Sequence, residues 1–446
     1  MRKSNALPNK SKLVDQISRF FDKKFVNKTA RTTRFVQRAS TFTGMDLLLL
    51  SVFSHQQNHT ISLQGYLGEL LFRGKAMTKQ SLQERFNKYS VDFMEKMLTH
   101  ALSQKLAIQK TFQTTCFKRI IIGDATSYQL SPDYVDKYKG NGGHASISSI
   151  KIQYNYDLLT NTIILLSPKS GHHADIKSEL GEIKKDDLRI DDLGYFHINR
   201  FLCIQKTGAY FLSRHRYDVH LYKLQNEKFE LIDLVKLKRG MREGEQRSII
   251  CYVGKNELMK IRVVIEKVPQ RIVAEKRRKL KLISEGKLKF ISKKRLELCA
   301  INTYLTNAST VQLPTKEVRK YYSLRWQIEL LFKAWKSTYS IDKIKGMKIE
   351  RFECITYGTL LLIVITSLLL AHYKSTLFVK TNREISEMKF FKIIKQNISL
   401  LKNALQESTT KLVSLIKALE KIIILTCSKE IKKHIPPPFK ILKIIP

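Results

Sequence analysis

The sequence is poor in the residues that mark disordered and disulfide-stabilised proteins. Only 18 glycines and 9 prolines occur in 446 residues, and 43% of the residues are hydrophobic, so a low-complexity or disordered chain is excluded. The six cysteines are scattered without a CxxC spacing, which indicates reduced core residues in a cytosolic protein. We therefore expect a globular protein with a true hydrophobic core, and the length predicts roughly three domains.

Acidic residues are scarce relative to basic ones. The chain has 39 Asp and Glu against 80 Lys and Arg, a formal net charge of +41, and the basic residues follow its whole length. Charge that is spread in this way suits an extended phosphate backbone, because each neutralised phosphate releases counterions. We predict double-stranded DNA as the partner. A genome that favours lysine codons is the alternative explanation of this composition.

Long hydrophobic runs are also lacking. The polar stretch from Met1 to Asn9 has none of the apolar character of a signal peptide. The longest apolar run, Tyr357 to Ala371, is shorter than the roughly 20 residues of a transmembrane helix, and Thr359, Thr366 and Ser367 interrupt it. We predict a buried helix here, no membrane partner, and a cytoplasmic, nucleoid-associated protein.

The spacing of the apolar residues divides the chain into five regions. Helical spacing predicts a helical DNA-binding region at 1–110, with a plain helical cap on the next domain as the alternative, since no clean helix-turn-helix signature occurs. β-rich runs predict the first part of an α/β core at 111–216 and a β-rich insertion at 217–310. The second part of the core is predicted at 311–375, and a helical, Lys-rich C-terminal region at 376–446.

A basic run lies inside the predicted insertion. It begins at Lys276-Arg277-Arg278-Lys279 and continues through further lysines to Arg295. Such a run is typical of a solvated face, and as part of an insertion into the core it could also press against DNA. Both interpretations remain open at this point.

The most informative stretch runs from Tyr321 to Lys336, and Pro314 and Thr315 give it a helix start. At about 100° per residue, one helix face carries four polar side chains: Tyr322, Arg325, Glu329 and Lys336. The opposite face carries apolar ones: Leu324, Ile328, Leu331 and Trp335. A carboxylate beside Arg, Lys and a Tyr hydroxyl suits a ligand that combines phosphate and a metal cation. The alternative is an exposed helix in which Arg325 and Glu329 form an i,i+4 ion pair.

The spacing also resembles a known signature. Tyr, two residues, Arg, three residues, Glu, six residues and Lys is similar to the YREK signature of the insertion-sequence-four family of bacterial DDE transposases. The resemblance implies an α/β, ribonuclease H-like mixed sheet with helices, interrupted by the β-rich insertion and flanked by helical terminal regions. It further implies that Glu329 is the third catalytic acid and that Tyr322, Arg325 and Lys336 bind DNA phosphates.

The same resemblance implies the first two acids. A strand predicted from Phe117 ends at Gly123, so that Asp124 lies at its tip, and Gly123-Asp124-Ala125-Thr126 is similar to the family's first acid. At the second acid, the family has the pattern Asp, any residue, Gly, then Tyr or Phe. The sequence Asp192-Leu193-Gly194-Tyr195 fits this pattern. Asp192 is therefore preferred to Asp191, whose side chain would point to the other face of a strand.

Three carboxylates suit divalent cations. The resemblance implies that Asp124, Asp192 and Glu329 bind two Mg²⁺ ions about 4 Å apart, with Mn²⁺ as a substitute. A zinc site at His172, His173 and Asp175 is the alternative metal interpretation. It lacks further Cys or His ligands at a suitable spacing, and a loop role is favoured.

The function implied by the resemblance is that of a DNA transposase. It would cut the inverted-repeat ends of a transposon in a metal-dependent reaction and join the freed 3′ hydroxyls to target DNA. Because inverted repeats present two equivalent ends, we expect a homodimer in the synaptic complex. Two alternatives stay open: a ribonuclease H-like nuclease without strand transfer, and a non-enzymatic DNA-binding protein derived from a transposase.

Overall fold

The structure is a computed structural model, and it describes residues 9–57, 62–104, 116–142, 146–254, 258–286, 290–344, 346–431 and 436–444. Residues 1–8 of the polar N terminus, and Lys287 and Lys289 of the basic run, lie outside the described residues. The chain combines helices before and after a large mixed sheet. This is the α/β class that the sequence predicted.

The N-terminal part is helical, as predicted. Its helices are α1 Lys10–Arg19, α2 Lys23–Thr32, α3 Gly44–Leu49, α4 His55–Gln57, α5 Leu63–Phe72, α6 Lys79–Arg85 and α7 Lys88–Ser103, with a π-helical turn at Leu50–Ser54. Side-chain caps begin most of them: Ser62 accepts a hydrogen bond from the Gly65 amide and Thr78 from the Ser81 amide. Capping satisfies amide groups that a helix start leaves unpaired, which is why the chain turns into helix at these residues.

Within the described ranges, ten strands form one sheet. They are β1 Arg119–Gln129, β2 Ser149–Asp157, β3 Thr162–Ser170, β4 Asp187–Asp191, β5 Tyr210–Arg214, β6 Leu221–Gln225, β7 Lys228–Leu231, β8 Gln246–Val253, β9 Met259–Lys267 and β10 Ile301–Thr306. Their order is β3-β2-β1-β4-β5-β10-β9-β8-β6-β7. The first three strands are antiparallel, whereas β4 and β5 run parallel to β1. The first five strands thus have the ribonuclease H-like arrangement that the resemblance implied.

The strands of residues 221–267 extend this same sheet. Helix α8 Ile198–Lys206 precedes β5, and α9 Leu234–Leu237 lies between β7 and β8 in the chain. Helices α10 Gln270–Glu285 and α11 Lys293–Leu298 lie between β9 and β10. A second hydrophobic core lies on this half of the molecule and includes Phe201, Phe211, Val263 and Leu305. The basic run therefore belongs mainly to α10 and α11, which lie between β9 and β10 in the chain.

The remaining helices follow β10. They are α12 Val318–Ser323, α13 Trp326–Ala334, α14 Ile349–Thr381, α15 Glu387–Gln396, α16 Ile398–Glu407, α17 Thr409–Thr426 and α18 Pro438–Ile441, with a π-helical turn at Trp335–Tyr339. Helix α14 contains the apolar run and is long and apolar enough to cross a membrane, but it is almost entirely buried inside the protein. The buried helix predicted at Tyr357 to Ala371 is confirmed, and it is longer than predicted.

Close packing explains the interior of α14. Gly358 lies so near the π-helical turn that a Cβ atom there would stand 2.3 Å from the Ser51 carbonyl oxygen. The threonines that interrupt the apolar run donate their hydroxyl hydrogens within the helix, Thr359 to the Ile355 carbonyl and Thr366 to the Leu362 carbonyl, both at 2.9 Å. Their polar groups are therefore satisfied without solvent, and α14 serves as the axis of the main core.

Candidate active site

Three elements bring the three predicted acids together. Asp124 lies on β1, Asp192 directly follows β4, and Glu329 lies on α13. Strands β1 and β4 are parallel, and their pairing ends with Gly123 opposite Asp191. Asp124 and Asp192, the next residue in each segment, therefore lie at the same end of this strand pair. Asp124 is the most enclosed of the three, with 20% of its side chain exposed, against 31% for Glu329 and 45% for Asp192.

The predicted end of the first strand is wrong. β1 continues past Asp124 to Gln129, because its antiparallel pairing with β2 continues as far as Gln129 opposite Ser149. Only the parallel partner β4 stops, at Asp191. Asp124 therefore lies in the middle of a strand whose β4 side is open beyond Gly123, and this open side makes room for the side chain of another element.

Arg325 fills that opening. Its Nη1 lies 3.2 Å from Asp124 Oδ2, its Nε 3.4 Å from Asp192 Oδ1, and its Nη2 2.6 Å from Glu329 Oε1. The i,i+4 pair of Arg325 with Glu329 is thus present, as the alternative interpretation of the helix expected. Yet the same guanidinium also contacts the two aspartates, and its side chain is only 17% exposed. An isolated surface pair does not account for such an arrangement.

The site perturbs the protonation of Asp124. Burial raises the pKa of Asp124 to about 6, and the Ala125 amide, which donates to Asp124 at 2.8 Å, works against that rise. The Arg325 guanidinium also lowers this pKa, whereas the charges of Asp192 and Glu329 raise it. A carboxyl group with a perturbed pKa in a cluster of acids is typical of a functional site.

The other two residues that were predicted to bind DNA are Tyr322 and Lys336. The Tyr322 ring packs against Tyr304 with 5.4 Å between ring centroids, and burial raises the pKa of the Tyr322 hydroxyl. Lys336 lies in the π-helical turn after α13, where its Nζ donates to the Ser127 carbonyl of β1 at 3.2 Å. The polar face is therefore carried by two helices and a π turn. The predicted apolar face is buried throughout: Leu324, Ile328, Leu331 and Trp335.

Asp191 lies in a different environment from Asp192. It is buried, and its carboxylate accepts from Arg189 Nε at 2.6 Å and from Arg200 Nε at 3.1 Å. Arg189 continues the network by donating to Asn155 Oδ1 at 2.7 Å. Both oxygens of Asp191 are engaged in this network, which is buried between the sheet and α8 and does not include Asp124 or Glu329.

Sequence reasoning missed this buried network. Arg189 and Asp191 are two residues apart on one strand and so share a face, which was the available signal for an ion pair. The network also explains Gly123: a Cβ atom there would lie 2.0 Å from Arg189 Nη2 and 2.7 Å from Asp191 Oδ1. Only glycine leaves room for the two charged groups directly before Asp124.

The acids have the chemistry of a divalent cation site, although their present arrangement is built around Arg325. Carboxylate oxygens are the donors that Mg²⁺ prefers. As the side chains now lie, no group of three or more His, Cys, Asp or Glu residues in the described ranges is placed to hold a metal ion. That includes the alternative zinc site, where Asp175 and the His173 carbonyl both accept from Lys151 Nζ, at 2.9 and 2.7 Å.

Comparisons with known proteins agree on one family. Residues 115–365 match a family model described as the transposase DDE domain. The chain is 34% identical to the transposase of the insertion sequence element IS1151 from Clostridium perfringens, and this alignment of 406 residues covers 85% of each protein. It is 30% identical over 424 residues to the transposase of IS231B from Bacillus thuringiensis subsp. berliner, covering 90% of this chain and 88% of that protein.

One solved structure was also matched over most of the chain. The cryo-EM structure of a piggyBac transposase synaptic complex with hairpin DNA covers 98% of this chain and 90% of that chain, at 12% identity and a TM-score of 0.45.

The family match in sequence includes Asp124, Asp192 and Glu329, since all three lie within residues 115–365.

Proposed function

The chain belongs to the family of transposases with a DDE domain, and on that basis we propose that Asp124, Asp192 and Glu329 are the acids with which it cuts insertion-sequence ends and joins them to target DNA. Membership of this family means that the protein is an enzyme that catalyses DNA cleavage and strand transfer. The observation that supports these three residues is their convergence: acids that are far apart in sequence all contact the guanidinium of Arg325.

The three acids are proposed to hold Mg²⁺, with Mn²⁺ as a substitute. The family implies a divalent cation, and hard carboxylate oxygens suit either ion. When bound, such ions activate the attacking oxygen and stabilise the leaving oxygen of the phosphodiester. The protein's own contribution is to present the three carboxylates from rigid elements, two at neighbouring parallel strands and one on a packed helix.

Tyr322, Arg325 and Lys336 are proposed to bind phosphates of the transposon end. Arg325 offers a planar fork that matches phosphate oxygens, and Lys336 offers a point charge beside β1. Arg325 contacts Asp124, and Lys336 contacts the same strand at Ser127, so a phosphate held by Arg325 would face Asp124 and Glu329 while Lys336 would meet the DNA further along β1. We further propose a homodimer in the synaptic complex, since two ends must be joined together, and action on DNA at the bacterial nucleoid.

A test uses full-length protein, Mg²⁺ and a duplex that carries one inverted-repeat end with flanking DNA. We expect cleavage at the end and, with target plasmid added, covalent joining of the 3′ hydroxyl to the plasmid. Cleavage without joined product would favour the ribonuclease H-like nuclease. Binding with neither product, under conditions where Mn²⁺ is also tried, would favour the non-enzymatic DNA-binding protein.

A further inference from the structure

Arg325 has an unusual position for a residue proposed to bind DNA. Three different nitrogen atoms of one guanidinium each face a different acid, and in the described part of the chain no other Lys or Arg is within ion-pair distance of these acids. The guanidinium is mostly enclosed, with 17% of the side chain exposed. It is therefore the main positive charge that opposes repulsion among the three carboxylates.

The guanidinium and a metal ion would compete for the same space between the carboxylates. Glu329 Oε1 is 2.6 Å from Nη2, and Asp124 Oδ2 is 3.2 Å from Nη1, with the guanidinium lying between the acids. Mg²⁺ requires its oxygens at about 2.0–2.1 Å in octahedral geometry, which needs the space that the guanidinium fills. Two cations at one point would also repel each other strongly.

We propose that Arg325 is a positioning residue that holds the three acids together in the ion-free protein and yields its place to the divalent cation, so that Arg325 and the cation compete for the same carboxylates. This inference rests on the proposed function of the three acids. It assigns Arg325 two alternative partners, the acids before the cation binds and a DNA phosphate afterwards. The fork of guanidinium N–H groups suits carboxylate and phosphate alike.

The competition predicts a coupling between the cation and DNA. A phosphate that draws Arg325 out of the acids removes the competitor of the cation, and a bound cation frees Arg325 for the phosphate. Each ligand therefore strengthens the binding of the other, by the same factor in both directions. A residue with a purely structural role would produce no such coupling.

The experiment measures Mn²⁺ binding to the full-length, DNA-free protein by the electron paramagnetic resonance signal of free Mn²⁺. We expect Arg325→Ala and Arg325→Gln to bind Mn²⁺ on the order of tenfold more tightly than the unchanged protein, because a unit charge close to the acids is removed. Arg325→Gln keeps most of the side-chain volume and guards against a packing defect. Lys333→Ala, which removes an exposed cation on the same helix, should leave the affinity unchanged.

Equal or weaker Mn²⁺ binding in both Arg325 variants would overturn the inference. Failure of the proposed function has a different signature: Asp124→Asn and Glu329→Gln would then bind Mn²⁺ as the unchanged protein does. A second arm adds duplex DNA with a transposon end. We expect it to tighten Mn²⁺ binding at least threefold in the unchanged protein, an effect lost in Arg325→Gln; an equal gain in both proteins would also overturn the inference.

Discussion

Two adjacent aspartates at the end of β4 show how much the surroundings of a residue decide its role. Asp191 is buried between Arg189 and Arg200, with both oxygens engaged in hydrogen bonds. Asp192 is 45% exposed and contacts Arg325 at 3.4 Å. A buried carboxylate that satisfies two buried guanidinium groups contributes to folding, whereas a half-exposed one beside two other acids is available to a ligand.

Exchanging each of these residues for asparagine should separate the two roles. We expect Asp191→Asn to lose about 3–5 kcal/mol of unfolding free energy, because it leaves buried positive charge uncompensated. Asp192→Asn should change stability by less than about 0.5 kcal/mol, as exposed substitutions do, and should lose cleavage. Urea unfolding and a Mg²⁺-dependent cleavage assay on both variants give the answer. A cleaving Asp192→Asn protein beside a stable, inactive Asp191→Asn protein would reverse the assignment.

Lys336 offers a second comparison between neighbouring residues. It donates to the Ser127 carbonyl of β1, the strand that carries Asp124, whereas Lys333, one turn earlier, is exposed. We expect Lys336→Ala to weaken binding of transposon-end DNA by about 1–2 kcal/mol, since one charge-assisted phosphate contact is lost. Lys333→Ala should bind this DNA with an affinity closer to that of the unchanged protein, and the two variants should have similar melting temperatures. Equal DNA affinities of the two variants would argue against a phosphate contact from Lys336.

The elements around the site differ in how far they could be predicted. The buried face of α13 followed from the helical period, because Ile328 and Leu331 are neighbours on one helix surface and this is a local property. The placement of Arg325 could not follow in the same way, because its contact with Asp124 joins residues 201 positions apart. The length of β1 depended on β2, a partner that a single strand pattern does not reveal. The family resemblance identified the three candidate acids, whereas the position of Arg325 between them is known only from the fold.

The close contact of α14 with the π-helical turn gives a prediction at this scale. Alanine normally stabilises a helix interior over glycine by about 1 kcal/mol. At Gly358 the new Cβ would lie 2.3 Å from the Ser51 carbonyl oxygen, and we expect overpacking of about 1–3 kcal/mol to outweigh that gain. Gly68 of α5, with no atom within 4 Å of its would-be Cβ, is the matched control and should be stabilised by alanine. Thermal unfolding measures both; a stabilised Gly358→Ala protein would show that the contact can relax.

At the scale of the whole molecule, the net charge of +41 reflects a large excess of basic side chains over acidic ones. Within the basic run, Lys276 donates to Asn302 Oδ1 at 2.7 Å and Arg277 to the Leu296 carbonyl at 3.1 Å, so these two residues tie α10 to β10 and α11. Arg278 and Lys281 are exposed on α10. The run thus combines structural contacts with side chains that are open to a polyanion.

Substitutions on the exposed part of α10 distinguish a DNA-binding surface from a solvated face. If it binds duplex phosphates, Arg278→Ala and Lys281→Ala should each weaken DNA binding at all sequences and lower the slope of log affinity against log salt by about one. Glu285→Ala on the same helix should not weaken binding. Affinities measured by fluorescence anisotropy from low to physiological salt test this. Unchanged slopes in both variants would favour a solvated face, and a flat salt response of the whole protein would favour codon usage as the origin of its charge.

Asp124, Asp192 and Glu329 are proposed to act as one catalytic group. The most direct measurement is Mg²⁺-dependent cleavage of transposon-end DNA by Asp124→Asn, Asp192→Asn and Glu329→Gln, alongside binding of the same DNA. We expect each single change to abolish detectable cleavage while the fold and most of the DNA affinity are retained, because the acids hold the cation and not the DNA. Substantial Mg²⁺-dependent cleavage by any one of these three variants, when folded, would contradict the account.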